Sequence, residues 1–165
     1  MHQSSYQKME AFVSKYLDPN KELKILEMGS YDVNGTYKDL FLKPNWTYEG
    51  CDIAPGPNVD IVMSDLYKIP LPDGSYDVVV SGSTLEHVEY FWVWIKEVAR
   101  LVRPGGLMCH IAPGTGATHP TPVDCWRFRT DGMIVLAKWI DFEVLEAYTD
   151  PNNYWWDCTL VCRKP

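Results

Sequence analysis

The chain has 165 residues, a length that suits one domain spanning 1–165 and lets roughly 68–70% of the unfolded surface be buried without staples. Hydrophobic residues make up 46%, charged residues 22% and aromatics 13%, seven of them Trp, a globular balance that leaves rings for a pocket as well as a core. The formal charge of −7 and pI near 5.0 disfavour nucleic acid and anionic membranes as partners. No 18-residue apolar run is present, and the opening MHQSSYQKMEAF lacks the layout of a secretory leader, so a cytoplasmic location is expected. Cys51, Cys109, Cys125, Cys158 and Cys162 form no C-x-x-C pair and read as reduced thiols.

In chain order, residues 3–17 carry Met9, Phe12, Val13 and Tyr16 at helical spacing, and Asp18-Pro19-Asn20 ends the helix. Leu23–Met28 reads as a buried strand, 35–41 as a helix, Thr47–Asp52 as a second strand and Val59–Met63 as a third. After a Pro-Asp-Gly turn, the β-branched run Tyr76–Ser81 reads as a strand covered on both faces. Residues 88–102 read as a helix closed by Arg103-Pro104-Gly105-Gly106, with the glycines suited to a C-terminal cap. On that helix Trp92 and Trp94 are expected in the core, and Arg100 and Arg103 near its end to complement the dipole. Leu107–Ala112 is a fifth strand, followed by a Pro-, Gly- and Thr-rich loop over 113–125, a helix over 130–139 and two closing strands, Phe142–Tyr148 and Trp156–Arg163. Strands alternating with helices predict an α/β fold with a largely parallel sheet, whose ligand sits at the carboxyl ends of the strands.

Those ends carry the unusual residues. The first strand runs into ILEMGSYDVNG, with Glu27 near its tip and Gly29 just after it. A glycine there lets the backbone turn sharply and approach a ligand, and the loop over 30–34 leads into a helix whose amides attract negative charge. An acid and free amides together suit an amino acid zwitterion. A plain turn explains Gly29 equally, and the glycine spacing is not the G-x-G-x-x-G of a dinucleotide site. Asp52 ends the second strand, where an acid can accept from both ribose hydroxyls. Asp65 follows the third, where it can bond an exocyclic amine while Leu66 and Ile53 flank a base, or simply cap a turn.

With these residues on view, the chain resembles the class I S-adenosylmethionine-dependent methyltransferases, in particular their small-molecule group. The resemblance covers roughly 23–112 and rests on ILEMGSYDVNG, YEGCDIAPG, SDLYKIPLPDGSYDVVVSGSTLEHV and LVRPGGLM. It implies a Rossmann-like, doubly wound, seven-stranded, mostly parallel sheet with an antiparallel last strand. It implies S-adenosylmethionine as cofactor, S-adenosylhomocysteine as product, and methyl transfer by in-line displacement. Carried over, Glu27, Gly29, Ser30 and Tyr31 lie along the methionine moiety, Asp52 binds the ribose and Ile53 flanks the adenine. Asp65 reaches the adenine amine with Leu66 stacking, and Ser81, Gly82 and Ser83 contact the methionine end. His87 either touches that region or, with Glu86, caps the next helix. Tyr31 stands where the family usually has a second glycine, which implies a bulkier loop.

The acceptor region is expected in APGTGATHPTPVDCWRF, where similar methyltransferases carry an H-P-x-D-x-W/Y-R-F run. His119 and Asp124 can form a base and its orienter. Alternatively, Asp124 and Arg127 brace the loop while Trp126 and Phe128 pack beneath it. His119, Asp124 and Cys125 lack the ligand spacing of a metal motif, and no metal is expected. The aromatics of 152–156 can line the acceptor site or a dimer face, and the protein is expected as monomer or homodimer with a small-molecule acceptor. Rival readings are a non-catalytic S-adenosylmethionine-binding module and another transferase on this fold, such as an aminopropyl transferase.

Overall fold

The computed structural model describes residues 2–120 and 122–165; positions 1 and 121, the latter in the expected 113–125 loop, lie outside the described residues. The elements in order are α1 (Gln3–Tyr16), β1 (Leu23–Met28), α2 (Lys38–Phe41), β2 (Trp46–Asp52), β3 (Ile61–Val62), β4 (Tyr76–Gly82), a 3-10 turn (Leu85–His87), α3 (Phe91–Leu101), β5 (Val102–Ala112), α4 (Thr130–Trp139), β6 (Glu143–Thr149) and β7 (Cys158–Arg163).

The apolar runs of β1 and β4 are continuous because the sheet buries both their faces. Leu26, Met28 and Val79 join Trp94, Ile95, Val98, Met133 and Leu136 on the side of α3 and α4. Ile25, Val78 and Val80 join Met9, Phe12, Leu40 and Phe41 on the side of α1 and α2. The strands lie in the order β3-β2-β1-β4-β5-β7-β6. Neighbours from β3 to β5 pair parallel, and β7 runs antiparallel to both β5 and β6. This is the expected Rossmann-like arrangement with an antiparallel last strand. The chain leaves β1 toward β2 and β3, then returns to lay β4 and β5 on the other side. The crevice at the tips of β1 and β4 is therefore the topological switch point.

Several local expectations are corrected. The second helix starts late, at Lys38, because Asp32 Oδ1 takes the Gly35 N–H at 2.6 Å and Gly35 sits at φ +127°. The third helix begins at Phe91 instead of 88: the Trp126 indole N–H lies 3.1 and 3.2 Å from the Val88 and Glu89 carbonyls, and Tyr67 Oη takes the Tyr90 N–H. The glycines after that helix do not cap it. Gly105, at φ +76°, donates to the Lys164 carbonyl within β5, where the pairing with β4 shifts register. Trp94 is fully buried as expected, but Trp92 is 40% exposed and lies edge-on to Phe91 and Trp126. Arg100 ties α3 to the preceding loop, donating to Glu97, Asp73 and the Ile69 and Leu71 carbonyls. Cys125 is exposed and the other four thiols are buried; all five are free. No helix among the described residues is long and apolar enough to cross a membrane.

Candidate functional site

The sharp turn out of β1 is made by Gly29 at φ +73°, whose N–H donates to the Cys51 carbonyl at 2.8 Å. A Cβ at this position would stand 2.2 Å from Thr84 Oγ1, so the loops after β1 and β4 meet here at a distance only glycine permits. Across from it Ser83 holds a left-handed conformation, φ +53°, and donates its N–H to the Ile111 carbonyl. A non-glycine residue in that region is a local strain of the kind functional sites retain.

Between these turns opens a cavity of about 690 Å³, within the range of small-molecule sites. One end is lined by Glu27, Gly29, Ser30, Tyr31, Asp52, Ile53, Met63 and Leu66, and Gly82 and Ser83 form its middle. Glu86, His87, Trp94, Pro113, His119 and Trp155 close the other end. The expected set Glu27, Gly29, Ser30, Tyr31, Asp52, Ile53, Leu66, Gly82, Ser83 and His87 is thus brought together around one space, with His119 opposite.

Three expected residues stand outside the lining. The exposed Asp65 accepts the Tyr67 N–H at 2.8 Å and shapes the turn after β3. Ser81 is buried in β4 and lies 2.6 Å from His110 Nδ1, supporting the strand from behind. Asp124 sits behind His119: it accepts the His119 backbone N–H at 2.9 Å, and its Oδ2 is 3.4 Å from His119 Nδ1. It also takes a two-pronged bond from Arg127, at 2.5 and 2.8 Å. Asp124 and Arg127 thus brace the loop as anticipated, and the guanidinium holds the Asp124 carboxyl well below the usual carboxylate range. Cys125 contributes its backbone N–H to the Glu86 carbonyl and remains exposed.

The acids differ in environment. Asp52 is half-buried and accepts three backbone N–H groups, Tyr31 at 3.0 Å, Ile53 at 2.7 Å and Ala54 at 3.3 Å. Glu27 is buried and accepts from the Tyr48 hydroxyl; burial pushes its carboxyl up to about 7. The Tyr31 ring, where the family usually has glycine, lies over Gly56: a Cβ there would be 2.0 Å from Tyr31 Cε2. The bulkier loop is accommodated by a glycine on the neighbouring strand's exit.

Glu86 was legible only as part of a helix cap. It is fully buried, lines the cavity, and has neither carboxylate oxygen hydrogen-bonded among the described residues; burial pushes it up to about 8. Its backbone carbonyl takes the Cys125 and Trp126 N–H groups at 2.7 and 3.3 Å, anchoring the loop after β5. His87 Nε2 lies 3.7 Å from Glu86 Oε1, and the His87 and His119 rings meet edge-to-face at 5.0 Å. Trp155 completes this wall, 5.1 Å from His119 and 5.5 Å from His2, with its carbonyl accepting the Gly114 and Thr115 N–H groups. Trp155 is one of the aromatics of 152–156 singled out in the sequence, and the β6–β7 connection delivers it to the cavity lining.

Comparison with known proteins agrees with this geometry. Residues 42–110 match the family model described as a methyltransferase domain. A probable S-adenosylmethionine-dependent methyltransferase of Mycobacterium tuberculosis is 33% identical over 105 residues, 58% of this chain and 38% of that one. The 27-O-demethylrifamycin SV methyltransferase of Amycolatopsis mediterranei is 36% identical over 78 residues, 45% of this chain and 28% of that one. The chain thus spans less than two-fifths of the length of these curated relatives. Among solved structures, the 1,6-didemethyltoxoflavin-N1-methyltransferase of Burkholderia thailandensis, with bound 1,6-didemethyltoxoflavin and S-adenosylhomocysteine, superposes with a TM-score of 0.78. It is 13% identical, and the match covers 98% of this chain and 78% of that one. The matched segment is similar to methyltransferase domains, the curated relatives it matches are named S-adenosylmethionine-dependent methyltransferases, and the strand order is the one expected from that resemblance.

Proposed function

We propose that the chain transfers a methyl group from S-adenosylmethionine to a small-molecule acceptor, releasing S-adenosylhomocysteine. The observation that carries this reading is one continuous cavity. It joins the acids and glycine turn of the β1 and β2 tips to a ring- and histidine-lined wall after β5.

The residues present fit the donor. Asp52 lines the cavity and, after its three backbone bonds, keeps one lone pair on Oδ2 that can accept from a ribose hydroxyl. Ile53, Met63 and Leu66 give apolar faces for a base. Glu27 and the Ser30–Tyr31 turn face the end where an amino acid moiety fits. When bound, the donor supplies an electrophilic sulfonium methyl; the acceptor's lone pair forms the new bond as the S–CH₃ bond breaks and sulfur keeps the electron pair.

The protein's part is alignment. Holding acceptor and methyl in line can supply up to about 7–11 kcal/mol. For a hydroxyl or amine acceptor, His119 receives the proton, with Nδ1 directed at Asp124 and the Ala117 carbonyl at 3.1 Å. The relatives named for small molecules support an acceptor of that size, and the Trp155 ring in the lining supports a planar or apolar body.

Calorimetric titration with S-adenosylmethionine and S-adenosylhomocysteine tests the donor half, followed by an acceptor screen read by S-adenosylhomocysteine release. Micromolar binding is expected. No binding of either compound by folded protein would overturn the reading.

A further inference from the structure

We propose that Glu86, His87 and His119 form a binding site for a divalent first-row transition metal ion at the acceptor end of the cavity. One ligand atom from each lies within 4.8 Å of the others. His87 Nε2 and Glu86 Oε1, at 3.7 Å, stand close to the roughly 3.0–3.5 Å that separates two ligands of one such ion.

Both imidazoles are oriented from behind. His87 Nδ1 is 2.5 Å from the Val123 carbonyl, a contact only an N–H satisfies, so the lone pair of the neutral ring is on Nε2. His119 Nδ1 is 3.1 Å from the Ala117 carbonyl and 3.4 Å from Asp124 Oδ2, which leaves its Nε2 in the same state. A carbonyl or carboxylate behind each ring is the arrangement that fixes metal-binding histidines.

Glu86 is an independent observation. Its carboxylate is fully buried, and neither oxygen has a hydrogen-bond partner among the described residues. The nearby cation, Arg127, is committed to Asp124. A carboxylate taken out of water without a partner is costly, and a bound cation removes that cost. Two imidazoles and one carboxylate suit zinc, cobalt, iron or nickel better than magnesium or calcium.

The site joins two segments: Glu86 and His87 on the 3-10 turn after β4, and His119 on the loop after β5. Its remaining coordination positions face the cavity, where an acceptor oxygen is free to bind. The ion would lower the pKa of a bound hydroxyl, and His119 would then serve as ligand in place of base. That use rests on the proposed methyl transfer; the site itself does not.

The test is titration of metal-stripped, tag-free protein with Co²⁺, followed by visible absorption in a Cys125→Ser background. One equivalent is expected, with affinity falling at least tenfold in both Glu86→Gln and His119→Ala. The lack of saturable uptake, uptake unchanged by either substitution, or a thiolate-to-cobalt charge-transfer band would each overturn the proposal. S-adenosylhomocysteine titration of the same samples separates the two readings. Donor binding without cobalt binding sinks the metal site alone, and cobalt binding without donor binding sinks the methyl-transfer reading alone.

Discussion

The Tyr31 backbone N–H donates to Asp52 Oδ2 at 3.0 Å, so the loop after β1 hangs from the tip of β2. One carboxylate both shapes the donor end and faces the space a ribose would fill. Asp52→Ala is expected to weaken S-adenosylhomocysteine binding about 10- to 100-fold, the worth of one charge-assisted bond at ~1.5–3 kcal/mol. Loss of the loop anchor should lower the melting temperature by a few degrees. Calorimetry and thermal melts read both, and unchanged affinity would remove Asp52 from the donor site.

Gly29 is held by two constraints at once, its left-handed φ and the Thr84 side chain against it. Gly29→Ala should destabilise the fold by about 2 kcal/mol or more, the sum of a conformational cost of ~1–2 kcal/mol and a clash. Thr84→Ala in the same chain should recover only part, because the φ strain stays. Full recovery in denaturant melts would show that crowding alone fixes the glycine.

At the other end, His119→Ala should lower kcat about 10²–10⁴-fold with a hydroxyl acceptor, the usual reach of general-base catalysis, while leaving S-adenosylhomocysteine affinity unchanged. Asp124→Asn should cost less, because the Ala117 carbonyl still holds Nδ1. Losing the Arg127 pair should make the loop after β5 more sensitive to limited proteolysis. Equal kcat for wild type and His119→Ala would take the base role from His119.

Glu27 predicts a pH dependence of stability. Burial raises its carboxyl from 4.5 to about 7, with the Tyr48 bond pulling it back in part. Between those values the folded chain keeps a proton that the unfolded chain has released. Stability therefore falls as pH rises through this window and levels off above it, by at most about 1.4 kcal/mol per pH unit from this group. Glu86, buried with no hydrogen bond to its carboxylate among the described residues, acts in the same direction, so Glu27→Gln should flatten the slope of melting temperature against pH without abolishing it. A slope identical to wild type would mean that Glu27 titrates as an exposed acid.

Where the physics was local, the sequence was readable. LKILEM forms β1 over the six residues expected, because an unbroken apolar run has no other stable home in an α/β sheet. The tip positions of Asp52 and Gly29 followed from strand boundaries alone. The start of α3 was not readable, because Trp126 competes for the Val88 and Glu89 carbonyls from far along the chain. Asp65 shows the same limit in miniature: its turn-capping bond to Tyr67 is as well encoded as any bond to an adenine. Glu86 looked like a helix cap because a side chain buried beside two histidines from different segments leaves no trace in spacing.

Trp155 is enclosed by two imidazoles, His2 stacked on it and His119 edge-on to it. Protonated imidazole quenches indole emission, so this ring is a built-in optical reporter of that wall of the cavity. Its fluorescence will dim as His2 gains a proton and change again when a molecule displaces His119 from its edge. Taken as the difference between wild type and Trp155→Phe, which removes the other six tryptophans from the signal, this emission reports on what occupies that wall of the cavity.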